Sequence, residues 1–146
     1  MRDDVVAMSH AMLQMKMNRT EQDMQVQRTD YAMRILRHLH VCQGDVQTGA
    51  AIAKSVGITY PIFTRISNRL RMKGLLASAQ GRNDGYVLGK PATKISVYDV
   101  FSAMEGELSH CLSVSDERHG CEVYEYLNDL QNSIVAHMSD KFIADL

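Results

Sequence analysis

Apolar residues recur at helical spacing in several stretches of this chain, separated by glycine- and polar-rich connections. Ala32, Ile35, Leu36 and Leu39 form the inner stripe of a helix predicted over Arg28–Val41, with Thr29 or Asp30 as its cap. Ala50, Ala51, Ile52, Ala53 and Val56 make a short apolar helix that ends at Gly57, a residue able to adopt the left-handed turn conformation. Thr59 then caps a second helix with Pro61 in its first turn, and Ile62, Phe63, Ile66 and Leu70 face inward. LLASAQ and GYVLGK are two short strands, and GRNDG between them is turn chemistry, so a tight hairpin follows the helix pair. After Pro91 a short helix runs from Ile95 to Glu105, capped by Ser96, with Val97, Val100, Phe101 and Met104 inward and Gly106 as its stop. The longest helix is predicted from Cys121 to Met138. Its residues Val123, Leu127, Leu130, Ile134 and His137 step by four, three, four and three, a heptad seam. Ser139 is placed to cap a last short helix, DKFIADL.

The stretch Ala50–Leu75 therefore reads as a helix-turn-helix, and the hairpin behind it as a wing. Opposite the inward stripe of the second helix lie Tyr60, Pro61, Thr64, Asn68 and Arg71, flanked by Arg65 and Arg69. In the DNA-binding reading Thr59, Tyr60, Thr64, Arg65 and Asn68 meet bases, while Arg69, Arg71, Lys73 and the wing-tip Arg82 meet phosphates. Taken alone, the stretch fits equally well an ordinary αα-hairpin with a solvated basic face, and Arg82 an ordinary loop charge. The seam of the long helix calls for a second surface, either its own copy in a two-fold dimer or its own domain. His38 and His40, near the end of the first helix, read as surface histidines.

Charge separates these readings. The formal net charge is −1, yet 28–94 carries 11 basic residues against 3 acids, a net +8, and 95–146 carries 2 against 10, a net −8. A segregation of that size draws a polyanion to the middle of the chain and keeps the C-terminal part away from it. With 146 residues, 45% of them hydrophobic, the chain is long enough to bury one core. No apolar run is long enough to span a bilayer, the N-terminus does not resemble a signal peptide, and 3 cysteines argue for a reducing cytosol. Residues 1–27, rich in methionine, read as an appendage, either disordered or ordered by packing on a partner subunit; initiation at Met24 is the competing view.

TDYAMRILRHL, IAKSVGITYPIFTRISNRLRMKGLL, GRNDGYVLGKP and ISVYDVFSAMEG together resemble the winged-helix bacterial regulators related to IscR, NsrR and CymR, the Rrf2 family, over about Arg28 to Gly106. The resemblance implies a mainly α fold with a small β-hairpin wing and a long C-terminal dimerisation helix. It implies a cytoplasmic homodimeric transcription regulator, usually a repressor, that binds double-stranded DNA and answers to iron–sulfur, nitric oxide, redox or cysteine-metabolism signals. The expected organisation is an extension over 1–27, a winged helix-turn-helix over 28–106, a cysteine-containing loop over 107–120, and a dimerisation helix with tail over 121–146.

In sensor members of the family three closely spaced cysteines hold an iron–sulfur cluster. Here the loop offers only Cys111 and Cys121, an incomplete ligand set unless His110, Asp116, Glu117, His119, Glu122 or a partner subunit adds to it. Two ordinary thiols, or a redox pair, is the plainer reading. The cofactor is therefore left unknown. Gln80 and Asp84 also depart from the family pattern in the wing, which usually has a basic residue and a glycine there. A winged-helix interaction module without DNA binding is the alternative. An enzyme is not expected: there is no nucleophile–base pair, phosphate-cradling loop or hydrolytic metal spacing.

Overall fold

A computed structural model describes residues 27–79, 85–108 and 121–146. The predictions made for the N-terminal extension, for Gln80, Arg82 and Asp84, and for His110, Cys111, Asp116, Glu117 and His119 lie outside the described residues.

Helix α1 covers 27–41 and buries the predicted stripe of Ala32, Ile35, Leu36 and Leu39. Thr29 and Asp30 lie within it and do not cap it. Thr29 Oγ1 donates to Glu105 Oε1 at 3.2 Å and Asp30 accepts from Arg34 Nε at 3.0 Å, so both side chains serve packing and pairing. Helix α2, Gly49–Val56, is capped by Thr48, whose hydroxyl accepts from the Ala51 N–H. It ends as expected at Gly57, with φ 79°. Helix α3, Tyr60–Met72, begins after Thr59 with Pro61 in its first turn, but the Thr59 side chain makes no capping bond.

One inward position differs from the sequence reading. Ile62 is 40% exposed, and its place in the core is taken by Ser67, which is fully buried. Phe63, Ile66, Ser67 and Leu70 follow i, i+3, i+4, i+7 spacing, the stripe one helix face can bury, and Ile62 falls off it. Burying a serine there is tolerable because its hydroxyl donates to the Thr64 carbonyl at 3.1 Å.

Strands β1, Leu76–Ala79, and β2, Gly85–Leu88, pair antiparallel, with Leu76 opposite Leu88 and Ala79 opposite Gly85. A third segment joins them: Gln47 and Tyr86 exchange both backbone hydrogen bonds, at 3.2 and 2.7 Å. Pro91 leads into one 3-10 turn, Ala92–Lys94. Helix α4 is Val97–Glu105, two residues shorter at its start than expected. It opens with a reciprocal capping box in which the Asp99 N–H donates to Ser96 Oγ and the Ser96 N–H donates to Asp99 Oδ2. Val100, Ala103 and Met104 are buried, whereas Val97 and Phe101 are half-buried.

Helix α5, Glu122–Ser139, packs on α4, yet none of its residues is fully buried. Ser139 ends this helix instead of capping another. The tail then returns to the domain in extended form: Val97 N–H donates to the Lys141 carbonyl at 2.8 Å, and Ile143 N–H to the Ile95 carbonyl at 2.9 Å. Ile95 and Ser96 are held in this bridge, which is why α4 starts late. Ile143 is fully buried in the same apolar core as α1 to α4, and Ile143–Asp145 forms a final 3-10 turn. Arg37 Nε reaches the Leu146 carbonyl at 3.0 Å. Residues expected to belong with the dimerisation helix thus complete the core of the winged-helix unit.

Candidate nucleic-acid interface

The outer face of α3 is set by what its inner face touches. Phe63 stands edge-on to Tyr86 of β2, with centroids 5.2 Å apart at 82°, and Tyr60 lies 6.1 Å from Phe63. A Cβ at Gly49 would come within 2.8 Å of the Phe63 ring, so only glycine lets α2 approach so closely. This aromatic contact, with the Gln47–Tyr86 bridge, fixes the hairpin beside α3. A cleft of about 520 Å³ lies at the junction, lined by Thr48, Gly49, Tyr60, Ser78, Gly85 and Tyr86 among others. Helix and hairpin therefore present one surface.

On that surface Thr59, Tyr60, Pro61, Arg65, Asn68, Arg71 and Lys73 are exposed, and Thr64 is half-buried. The Arg71 and Lys73 side chains have the charge to meet phosphates, Arg65 has the donor fork that suits a guanine edge, and Asn68 has the paired donor and acceptor that suit an adenine edge. Two of the nine residues assigned from sequence differ in what they can do. The Arg69 guanidinium already donates through Nη1 to the Met104 carbonyl at 2.7 Å, tying α3 to the last turn of α4. The Thr64 hydroxyl donates back to the Tyr60 carbonyl at 2.9 Å, so its proton is committed within the helix. Neither interaction was legible from spacing, because both need the tertiary or helical position of a particular carbonyl. Arg82 lies outside the described residues.

The sequence matches over residues 25–146 the family described as "Rrf2: Iron-dependent Transcriptional regulator". The chain belongs to the Rrf2 family. The IscR regulator of Serratia proteamaculans (strain 568) is 30% identical over 112 residues, covering 74% of this chain and 68% of that one. A regulator named YffB from Lactococcus lactis, itself described as putative, is 28% identical over 126 residues, 80% of each chain. Among solved structures, CymR of B. subtilis superposes with a TM-score of 0.67 at 20% identity, covering 81% of this chain and 91% of that one. IscR of T. potens does so with a TM-score of 0.64 at 21% identity, covering 81% of each. The fold is thus the winged helix of this Rrf2 family, and the protein is a DNA-binding transcription regulator, not an enzyme. Among the described residues no helix is long and apolar enough to cross a membrane.

The family description raises the question of iron. An all-thiolate cluster takes four cysteines, and this chain has 3 in all. One of them, Cys42, sits at the far end of α1 with its sulfur 3.7 Å from His38 Nε2. Cys121 is exposed just before α5. Among the described residues no three His, Cys, Asp or Glu side chains gather as metal ligands. One chain's thiolates alone therefore fall one short of such a set, and Cys111 lies outside the described residues.

Proposed function

We propose that this Rrf2 regulator is a homodimeric, sequence-specific repressor that lays α3 in the major groove and the hairpin along the neighbouring backbone. The observation that carries the reading is the shared surface of α3 and the hairpin, where Arg65, Asn68, Arg71 and Lys73 stand exposed together. Arg65 and Asn68 read base edges; Arg71, Lys73 and, from the turn, Arg82 neutralise phosphates. The protein acts in the compartment that holds the DNA, the cytoplasm of a bacterial cell. Bound across a promoter, it blocks access to the duplex. Its signal is of the redox, iron–sulfur, nitric oxide or cysteine-metabolism kind, received at the loop containing Cys111 and Cys121.

The second copy is called for by α5. Val123, Tyr126 and Leu130 keep 65%, 69% and 39% of their surface exposed, and Leu127 and Ile134 are half-buried. Such a stripe at i, i+3, i+7 spacing is the seam of a helix pair, with His137 at its end. The acidic C-terminal part carries this seam away from the polyanion bound by the basic middle.

Binding of the full chain to duplexes selected from a randomised library tests the reading. Arg71→Ala should weaken binding to all sequences alike and lower the salt slope by about one unit. Asn68→Ala should relax sequence preference instead. Unchanged operator binding by both Arg65→Ala and Asn68→Ala refutes the assignment of the reading face. Leu130→Glu should convert the dimer to monomer in sedimentation, and a monomeric wild type ends the dimer proposal. Protein that raises transcription from a promoter carrying the selected duplex is an activator. Iron analysis after anaerobic purification decides the cluster arm.

A further inference from the structure

The leading turn of α3 carries chemistry that phosphate contacts and hydrogen-bonding readout do not use. Pro61 and Ile62 are both exposed there, next to the cationic and polar residues of the same helix. Phe63, Ile66, Ser67 and Leu70 already fill the inward positions, so Ile62 at 40% exposure adds little to the core. Pro61 shares its helix face with Arg65 and Asn68 at i+4 and i+7, and Ile62 precedes Arg65 by three residues, so the pair lies one turn ahead of them. The Thr64 hydroxyl donates to the Tyr60 carbonyl at 2.9 Å, so its proton is not offered to the duplex. Hydroxyl donors of Thr59 and Tyr60 precede the pair and Arg65 follows it, while Pro61 and Ile62 themselves show an approaching duplex apolar surface.

Only one base edge in the major groove answers apolar surface with apolar surface: thymine, through its C5 methyl group. We propose that Pro61 and Ile62 read thymine by contact with that methyl, making the leading turn of α3 selective for T·A pairs beside the hydrogen-bonded positions read by Arg65 and Asn68. The inference rests on α3 entering the major groove, and deepens that reading by naming the base that its first turn selects.

The test uses the full chain and the duplex it selects from a randomised library, remade with deoxyuridine in place of each thymine in turn. Deoxyuridine keeps the pairing and removes only the methyl. Wild type should lose about three- to fivefold in affinity at one or two positions in each half-site, the worth of one buried methyl. The Pro61→Ala, Ile62→Ala double variant should bind the thymine duplex more weakly by a similar factor and no longer distinguish it from the deoxyuridine duplex. Its melting temperature should match wild type, because both side chains lie outside the core. Wild type that binds every deoxyuridine duplex as it binds thymine overturns the inference, as does a double variant that keeps the difference. An Ile62→Ala change that alters the sedimentation mass also overturns it, placing Ile62 in a subunit contact. If Arg65→Ala and Asn68→Ala leave selection unchanged, the major-groove reading itself fails, and this inference with it.

Discussion

Ile143 lies 37 residues beyond Gly106, where the sequence places the end of the winged helix, yet its side chain is fully buried in that unit's core. Replacing it with alanine removes three carbons from a packed site. At about 0.8 kcal/mol per buried methylene the transfer term is about 2.4 kcal/mol, and an incompletely collapsed void raises the total to about 3–5 kcal/mol. The backbone bonds from Ile143 N–H to Ile95 and from Val97 N–H to Lys141 hold the tail in place, which limits that collapse. For a chain of this size the loss corresponds to a melting temperature lower by about 10 °C. Urea unfolding, followed by circular dichroism and by DNA binding, reads the effect, and Lys141→Ala is the matched control. Lys141 is exposed and contributes only its backbone carbonyl, so it should stay within about 0.5 kcal/mol of wild type. An Ile143→Ala protein within about 0.5 kcal/mol of wild type would refute the claim that the tail completes the core. So would release of the tail while α1–α4 stay folded, because the tail and α1–α4 should unfold as one unit.

Two further outcomes follow from contacts that the sequence did not disclose. Arg69→Ala should cost about 1 kcal/mol of stability by freeing the Met104 carbonyl, while leaving the salt slope of DNA binding as in wild type; a slope lower by about one unit would make Arg69 a phosphate contact. Ser96→Ala should cost about 1 kcal/mol through loss of the α4 capping box, read as a lower urea midpoint at unchanged slope; no change in the midpoint would show that Asp99 alone holds the helix start.

Most elements were legible in the sequence because their information is local. Periodic apolar residues marked α1 to α5; Gly57 and Gly106 marked their ends with positive φ; the turn residues after β1 marked the hairpin. The chemistry of the candidate interface was legible too, since the segregation of charge and the polar outer stripe of α3 belong to the sequence as such. Tertiary structure decided whatever depends on a distant partner. A helix can bury only about one stripe, and which of Ile62 and Ser67 joins it depends on where α2 and the hairpin press against α3. Whether Arg69 faces a phosphate or a carbonyl depends on where α4 ends. DKFIADL reads locally as another helix, but the extended edge at Ile95 and Ser96 offers it backbone partners and an open apolar slot, and those long-range contacts outweigh its local preference.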